Sequence, residues 1–379
     1  MIARNTLLLG TLLVLTSPAL YGSELLSSPP ERRGTSAAGH ESDARCESKD
    51  VPVVLNGTTE TLHGDLCDPG RATTIFVTIP GASYNRLYFD FPYRPEIYSQ
   101  VRSLNEAGYA VFNADRLGTG LGSIPLSTAL TGTGQADVIH QAIMKLRAGG
   151  IGHHRYSTVL LLSHSLGAGI ATIEAATFGG VDGVLLTGDT HYSNVQHATT
   201  YSETGVQQAN LQPRFSSYDA GYLTTPVGAR VWAFYGPGYF DPKVVATDEA
   251  TKDVYSASEV PDSAEAILNP EYTLQIQVPV LLMVGGQDFL ACATPGTVGT
   301  NCSSAAAFTA QESANYAPAA EFEACVIPGS GHSLALASNT KLYQGAVIDW
   351  TRRHFAGGQP QHPLHSGTSN ERGICVSAN

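Results

Sequence analysis

The feature that most constrains the fold is a regular alternation, from about residue 70 onward, between short apolar runs and longer amphipathic stretches. The runs at residues 73–81, 109–115, 157–162 and 182–188 are rich in aliphatic and β-branched side chains, which predicts strands. The stretches between them carry apolar residues at helical spacing. Strands that are apolar on both faces and separated by helices indicate a parallel sheet covered by helices on each side. The chain is therefore predicted to be an α/β protein.

The alternation is interrupted by one long segment. Residues 191–270 are rich in Tyr, Ser, Thr, Pro and Gly and show no strand period, and strands resume at residues 278–286 and 323–331. This order predicts one core domain, residues 46–190 and 271–379, with residues 191–270 forming a helical cap over the carboxyl ends of the strands. The aromatic side chains of this cap have two possible roles: they line an apolar pocket, or they form the cap's own core. These residues are Tyr201, Tyr218, Tyr222, Trp232, Phe234, Tyr235, Tyr239 and Phe240.

The sequence SHSLG lies between the strand at residues 157–162 and a helix predicted for residues 166–179. A residue at such a strand-to-helix turn is exposed above the sheet in a strained conformation, and it needs small neighbours two positions before and two positions after it. Ser163 and Gly167 are these small neighbours, which makes Ser165 the candidate nucleophile. The alternative role for Ser165 is that of a helix N-cap.

Two further residues supply what a serine nucleophile needs. The serine requires a general base, and the base requires a carboxylate that orients it. Asp288 lies just past the predicted strand at residues 278–284, and His332 lies just past the one at residues 323–328. The chain therefore offers nucleophile, acid and base in the order Ser165, Asp288, His332.

This order, and the position of all three residues after strands, resemble the α/β-hydrolase superfamily over about residues 50–356. The resemblance implies the α/β-hydrolase fold, with a mostly parallel sheet of eight strands, helices on both faces and a cap insertion. It also implies a Ser-His-Asp triad that works with no cofactor and no metal.

Two other stretches are similar to superfamily motifs. The sequence IPGASY, residues 79–84, stands where the superfamily usually has His-Gly. By this resemblance the backbone N–H groups of Ala82 and Leu166 form the oxyanion hole. The sequence NADRLGTGLGS, residues 113–123, is similar to the Asp-x-Arg-Gly-x-Gly-x-Ser loop of the superfamily, with one additional leucine.

The chain also departs from the superfamily pattern. Pro80 replaces the usual His and Ser163 replaces the usual Gly, so the subfamily stays open. Asp189, which follows the predicted strand at residues 182–188, is a rival to Asp288 as the orienting acid. Some members of the superfamily take the acid from the position after this strand. His164 is predicted to be structural, with its side chain directed away from the nucleophile.

The amino-terminal residues and the cysteines predict a secreted protein. Residues 1–19 combine a basic residue, an apolar run shorter than a membrane span and a small-residue exit, which is typical of a signal peptide; a membrane anchor is the alternative. Residues 20–45 are predicted to be a flexible leader. Six cysteines in an oxidising compartment predict three disulfides between neighbours in sequence: Cys46 with Cys67, Cys292 with Cys302, and Cys325 with Cys375.

Charge and motifs together narrow the function. A net charge of −12 without a basic run argues against binding to nucleic acid and against stable association with anionic membranes. The sequence therefore predicts a secreted serine hydrolase that acts on a small-molecule carboxylic ester, and it leaves the oligomeric state open. Because the same triad can serve other reactions, a lyase or an acyl-transferring cyclase is the alternative.

Overall fold

The runs that predict strands all form strands in the computed structural model, which describes residues 45–70, 72–152, 154–355 and 373–378. The predicted signal peptide, and the predicted leader up to residue 44, lie outside the described residues. The strands of the described residues are β1 (Arg45–Leu55), β2 (Thr58–Asp68), β3 (Thr74–Ile79), β4 (Ala110–Ala114), β5 (Thr158–His164), β6 (Gly183–Thr187), β7 (Gln207–Gln208), β8 (Tyr222–Thr224), β9 (Tyr255–Ser256), β10 (Val280–Gly285), β11 (Glu323–Ile327) and β12 (Cys375–Ser377). The α-helices are α1 (Pro95–Tyr98), α2 (Gln100–Glu106), α3 (Gly132–Ala148), α4 (Leu166–Ile173), α5 (Val195–Thr204), α6 (Pro242–Thr251), α7 (Val260–Leu268), α8 (Pro270–Thr273), α9 (Ala305–Glu312) and α10 (Thr340–Phe355).

The main sheet has the order β1-β2-β4-β3-β5-β6-β10-β11-β12 within the described part of the chain. The six strands from β4 to β11 in this order are parallel, whereas β1, β2 and β12 pair antiparallel with their neighbours. The predicted mostly parallel sheet is confirmed. The predicted count of eight strands is wrong, because the described residues form nine strands of this sheet. Its last strand, Cys375–Ser377, pairs with β11 and is too short to show a period of its own.

Helices cover both faces of this sheet, and the alternation of side chains along each strand explains why. In β5, Val159 and Leu161 belong to the core shared with α3 and α4, whereas Leu160 and Leu162 belong to the core shared with α2 and α10. Successive side chains of a strand point to opposite faces, so a strand that is apolar at every position needs a partner layer on each side. Among the described residues, no helix is both long enough and apolar enough to cross a membrane.

All three predicted disulfides are present. Two of them join residues that face each other across neighbouring antiparallel strands, Cys46 with Cys67 on β1 and β2 and Cys325 with Cys375 on β11 and β12. The third joins Cys292 and Cys302 and closes a short loop after β10. The cysteine pairing inferred from sequence neighbours is therefore confirmed.

We expect the Cys292→Ser/Cys302→Ser double variant to lose about 2 to 3 kcal/mol of unfolding free energy, because the open loop gains conformational entropy in the unfolded chain. Denaturant unfolding of both proteins under the same non-reducing conditions measures the difference. Reduction of the wild-type protein is not a substitute, since it opens the other two disulfides as well. Equal unfolding free energies would show that the loop is already ordered without the bond.

Residues 191–270 contain more than helices. They include α5, α6 and α7, and their three short strands β7, β8 and β9 form a separate antiparallel sheet. Strands of two or three residues are too short to produce a recognisable alternation, so the sequence shows no strand period here. Helix α7 packs against α4 and α3, which are helices of the core.

Candidate active site

Ser165 lies at the turn between β5 and α4. Its backbone has φ 52° and ψ −124°, a left-handed conformation that a side chain with a Cβ rarely adopts and that costs about 1 to 3 kcal/mol. The Ser165 N–H donates to the Thr187 carbonyl at 2.8 Å, and the side chain is partly exposed. In contrast, Ser163 is fully buried, and its hydroxyl donates to the Leu185 carbonyl at 3.1 Å. Of the two serines in SHSLG, Ser165 is the one with an accessible side chain.

Two glycines allow the loop after β3 to approach this turn. A Cβ on Gly167 would lie 2.3 Å from the Ile79 carbonyl oxygen, and a Cβ on Gly81 would lie 3.1 Å from the Ser165 Cβ. Real Cβ atoms do not tolerate the shorter of these distances, so residue 167 has to be Gly for α4 to pack against the end of β3. The structure thereby brings the Gly81–Ala82 peptide next to Ser165 and Leu166. Ala82, Ser165 and Leu166 are all partly exposed.

Asp288 and His332 are paired below this turn. Asp288 follows β10, His332 follows β11, and the Asp288 Oδ2 lies 2.9 Å from the His332 Nδ1. Both side chains are buried, and the Asp288 Oδ1 accepts hydrogen bonds from the backbone N–H groups of Leu290 at 2.9 Å and Ala291 at 3.2 Å. The carboxylate is therefore held in one orientation with its second oxygen directed at the imidazole.

The neighbouring strand β6 connects the two parts of the site. Thr187, the last residue of β6, accepts the Ser165 N–H, and the next residue, Gly188, faces both histidines. A Cβ on Gly188 would lie 2.7 Å from His164 Cε1 and 3.2 Å from His332 Cε1. Ser165, Asp288 and His332 therefore lie at the carboxyl ends of β5, β10 and β11, with β6 between β5 and β10 in the sheet.

Asp189, the rival acid, has a different partner. Its Oδ1 accepts a hydrogen bond from the Thr190 backbone N–H at 3.0 Å. Burial raises the pKa of Asp189 well above its usual range, and the nearby charges of Asp288 and Glu312 raise it further. In the structure, Asp288 is the carboxylate that contacts the Nδ1 of His332.

His164 is fully buried between aromatic neighbours. Its ring stacks on Tyr88 with centroids 4.4 Å apart, and its centroid lies 4.8 Å from that of His332. The His164 Nδ1 is 3.2 Å from the Thr187 hydroxyl. Burial, followed by the proximity of His332, lowers the pKa of His164 well below its usual range, so this imidazole is neutral at neutral pH.

The depressed pKa of His164 predicts a loss of stability in acid. Below the ordinary histidine pKa of about 6.5 the unfolded chain takes up a proton that the folded chain does not, so the unfolding free energy falls by up to about 1.4 kcal/mol per pH unit. We expect the difference in unfolding free energy between the wild type and His164→Phe to shift in favour of the variant between about pH 7 and about pH 5. Urea unfolding at each pH measures this difference, and a difference that does not change with pH would contradict it.

A group with metal-ligand spacing lies on β11 and β12, and a groove borders the Asp288 loop. In the described part of the chain, the group of side chains with metal-ligand spacing is Glu323, Cys325 and Cys375, and its two thiols are used in a disulfide. A groove of about 830 Å³ is lined by Asp288 and by residues of the loop that follows it, such as Phe289 and Pro295, but not by Ser165 or His332.

Several buried charges contact the loop after β3, residues 80–83, and the sequence did not predict them. Arg230 makes a two-armed ion pair with Asp248, at 2.8 and 2.9 Å, and also donates to the carbonyl and hydroxyl oxygens of Ser83. Arg116 pairs with Glu259 and donates to the carbonyl oxygens of Pro80 and Gly81 in the same loop. The only sequence signal for these contacts is the similarity of residues 113–123 to a superfamily loop, because ion pairs between distant residues leave no local pattern.

The sheet order, the strained turn at Ser165 and the acid–histidine pair after later strands define a hydrolase of the α/β class. A sequence profile of the Alpha/beta hydrolase family matches residues 76–343, which is more than half of the chain. The chain belongs to this family. No curated protein sequence matches the chain significantly.

Solved structures of esterases have the same fold. A highly thermostable carboxyl esterase from Bacillus coagulans matches with 15% identity and a TM-score of 0.55, covering 81% of this chain and 98% of its own. A thermophilic esterase from Thermogutta terrifontis matches with 14% identity and a TM-score of 0.51, covering 81% and 99%. A carboxylesterase from Bacillus subtilis matches with 14% identity and a TM-score of 0.51, covering 83% and 93%. At these identities the likeness shows the shared fold.

Proposed function

We propose that the protein is a secreted carboxylic-ester hydrolase in which Ser165 is the nucleophile, His332 the general base and Asp288 the orienting acid. The observation that carries this proposal is the buried Asp288–His332 contact at 2.9 Å, together with a partly exposed serine in a strained strand-to-helix turn at the same edge of the sheet. Helix capping alone does not account for that conformation, since the Ser165 side chain makes no capping hydrogen bond.

The proposed reaction has two steps. In the first, the Ser165 Oγ attacks the ester carbonyl carbon while the His332 Nε2 takes its proton. The tetrahedral intermediate then collapses, the C–O bond to the alcohol breaks, and His332 returns the proton to the leaving alkoxide. In the second step, a water molecule repeats this sequence on the acyl-enzyme and releases the carboxylic acid and Ser165.

The surroundings of His332 support its role as base. A carboxylate at Nδ1 keeps the proton on that nitrogen, which leaves the Nε2 free to accept the proton of the serine. Asp288 also stabilises the imidazolium that forms during the attack. Two backbone N–H groups, from Leu290 and Ala291, hold the carboxylate still, so little reorganisation is needed as the charge develops.

The oxyanion requires hydrogen-bond donors that are in position before the reaction. We propose the backbone N–H groups of Ala82 and Leu166 for this role. The close packing of Gly81 and Gly167 supports it, because it brings both peptides next to Ser165.

Aromatic rings from residues 191–270 form a wall beside His332. The Phe234 ring lies 5.5 Å from the His332 ring, Tyr201 lies 5.6 Å from Phe234, and Trp232 lies 5.4 Å from Phe289 between ring centroids. Tyr201, Trp232 and Phe289 are partly exposed. We propose that these rings contact an apolar or aromatic part of the ester, since such surfaces favour burial of apolar groups.

Secretion of the protein from the cell is part of the same proposal. Three disulfides in the described residues suggest an oxidising environment outside the cytosol. Together with the signal-peptide pattern of residues 1–19, they support secretion. Sequencing of the amino terminus of the protein recovered from cells and from the culture medium tests this, and a protein that stays in the cells with residue 1 intact would contradict it.

Labelling with a fluorophosphonate tests the proposed nucleophile directly. The reagent forms a P–O bond to an activated serine and releases fluoride, so we expect one label per chain on the peptide that contains Ser165. The same protein is assayed against matched ester, lactone and amide substrates, with the ester expected to react fastest. A label on another residue, or no label together with no ester turnover, would contradict the proposal.

A further inference from the structure

A buried guanidinium contacts the loop that carries Ala82. The Arg116 Nε donates to the Pro80 carbonyl oxygen at 3.0 Å, and the Arg116 Nη2 donates to the Gly81 carbonyl oxygen at 3.2 Å. The side chain of Arg116 is fully buried. Its contacts are therefore protected from water, and each is a charge-assisted hydrogen bond in a region of low dielectric constant.

Glu259 anchors this arginine from the other side. Its Oε1 pairs with the Arg116 Nη1 and also accepts a hydrogen bond from the Gln135 Nε2 at 2.7 Å. Its Oε2 accepts from the backbone N–H of Ser256 at 2.7 Å. Glu259 is fully buried and belongs to the 191–270 segment, so this segment helps to hold the guanidinium in place.

The geometry of the peptide unit connects Arg116 to the oxyanion. The Gly81 carbonyl and the Ala82 N–H belong to one planar peptide, and in a trans peptide they point in opposite directions. A guanidinium that binds the carbonyl on one side therefore directs the N–H to the other side. The positive charge at the carbonyl oxygen also draws electron density from the amide, which makes the N–H a stronger donor.

We propose that Arg116, anchored by Glu259, is a positioning residue that orients and polarises the Gly81–Ala82 peptide, so that the Ala82 N–H stabilises the transition-state oxyanion. This inference rests on the proposed function, because it requires ester attack at Ser165. Arg116 does not itself touch the substrate. Its effect is on the transition state, where negative charge develops, rather than on the bound ester.

The main test is the double variant Arg116→Met/Glu259→Gln, which removes both buried charges and leaves neither unpaired. We expect kcat/KM to fall by about 10- to 100-fold through kcat, less than the loss of a complete oxyanion donor. A trifluoromethyl ketone, which forms a tetrahedral oxyanion on a serine, should lose affinity by the same factor. The alcohol product, which forms no oxyanion, should bind as it does to the wild type.

The matched control is Arg147→Met/Asp182→Asn. Arg147 also pairs with a carboxylate, at 2.6 Å, and donates to a backbone carbonyl, that of Gly180, but it lies at the amino ends of β5 and β6. This variant should lose stability and keep wild-type kinetics. Wild-type kcat/KM in the folded Arg116 double variant would overturn the proposal, and so would an equal loss of affinity for the ketone and the alcohol.

Arg116→Lys provides a second test if the double variant does not fold. It keeps a buried positive charge opposite Glu259 but replaces the planar fork of donors with one ammonium group. We expect the same selective loss of ketone affinity, and unchanged ketone affinity would overturn the proposal. Ester hydrolysis by Ser165→Ala would overturn the proposed function itself. If Ser165→Ala is inactive but the Arg116 variants have wild-type kinetics and ketone affinity, only this inference is overturned.

Discussion

Ser165→Ala is expected to lower kcat for ester hydrolysis by roughly 10⁶-fold, because it removes the hydroxyl proposed to form the acyl-enzyme. The variant should keep the wild-type fold and should not react with a fluorophosphonate. The His332→Ala variant and the Ser165→Ala/His332→Ala double variant should each be about as inactive as Ser165→Ala. When residues act as one unit, the removal of any one of them costs the enzyme the same transition-state stabilisation, so the effects of the substitutions do not add. Steady-state kinetics on one ester measures all three variants.

Ser163→Ala is the matched control for this experiment. It removes the other hydroxyl of the SHSLG sequence, but that hydroxyl is buried and donates to the Leu185 carbonyl. We expect the control to keep both activity and labelling. Near-normal activity in Ser165→Ala would overturn the serine-hydrolase proposal, and multiplied losses in the double variant would show that His332 acts independently of Ser165.

Asp288→Asn is expected to lower kcat by up to about 10⁴-fold with little change in KM. An amide at this position can present its N–H₂ group to the imidazole, which favours the wrong tautomer and removes the charge that stabilises the imidazolium. The Asp288 Oδ1 contacts to Leu290 and Ala291 identify this carboxylate as a fixed part of the loop. Steady-state kinetics with separate kcat and KM values measures the effect.

Asp189→Asn is the comparison that makes this result specific. Asp189 lies after the adjacent strand and accepts a hydrogen bond from the Thr190 N–H, so its replacement should cost far less. Circular dichroism of both variants establishes that each is folded. A collapse of kcat in Asp189→Asn with near-normal kcat in Asp288→Asn would transfer the orienting role to Asp189.

The core sheet could be predicted from sequence because each of its parallel strands is buried on both faces. A run such as VLLL in β5 has no polar position that water could reach, and this property is visible in the sequence itself. The amphipathic stretch between β3 and β4 is less regular, since the structure divides its helical part into α1 and α2 at Ser99, whose hydroxyl caps α2. The pairing of cysteines was also predictable, because neighbours in sequence proved to be neighbours across strands or within one loop.

The candidate triad was accessible to sequence reasoning for a related reason. Ser165, Asp288 and His332 each follow a strand, and the carboxyl ends of neighbouring parallel strands lie at one edge of a sheet. Knowledge of the strands therefore predicts that the three residues lie near one another. Their roles remain predictions that the variants above test.

The sequence by itself determined the parallel sheet, its covering helices, the disulfide pairs and the candidate residues at the strand ends, because all of these depend on local runs of residues or on short separations. Only the tertiary structure decided which carboxylate contacts the His332 Nδ1 and which buried charges contact the loop after β3. Arg116 and Glu259 are 143 residues apart, and the attraction between their charges becomes strong only after folding has placed both in a region of low dielectric constant. Such a contact depends on the packing of distant segments, and no periodicity or spacing in the chain records it.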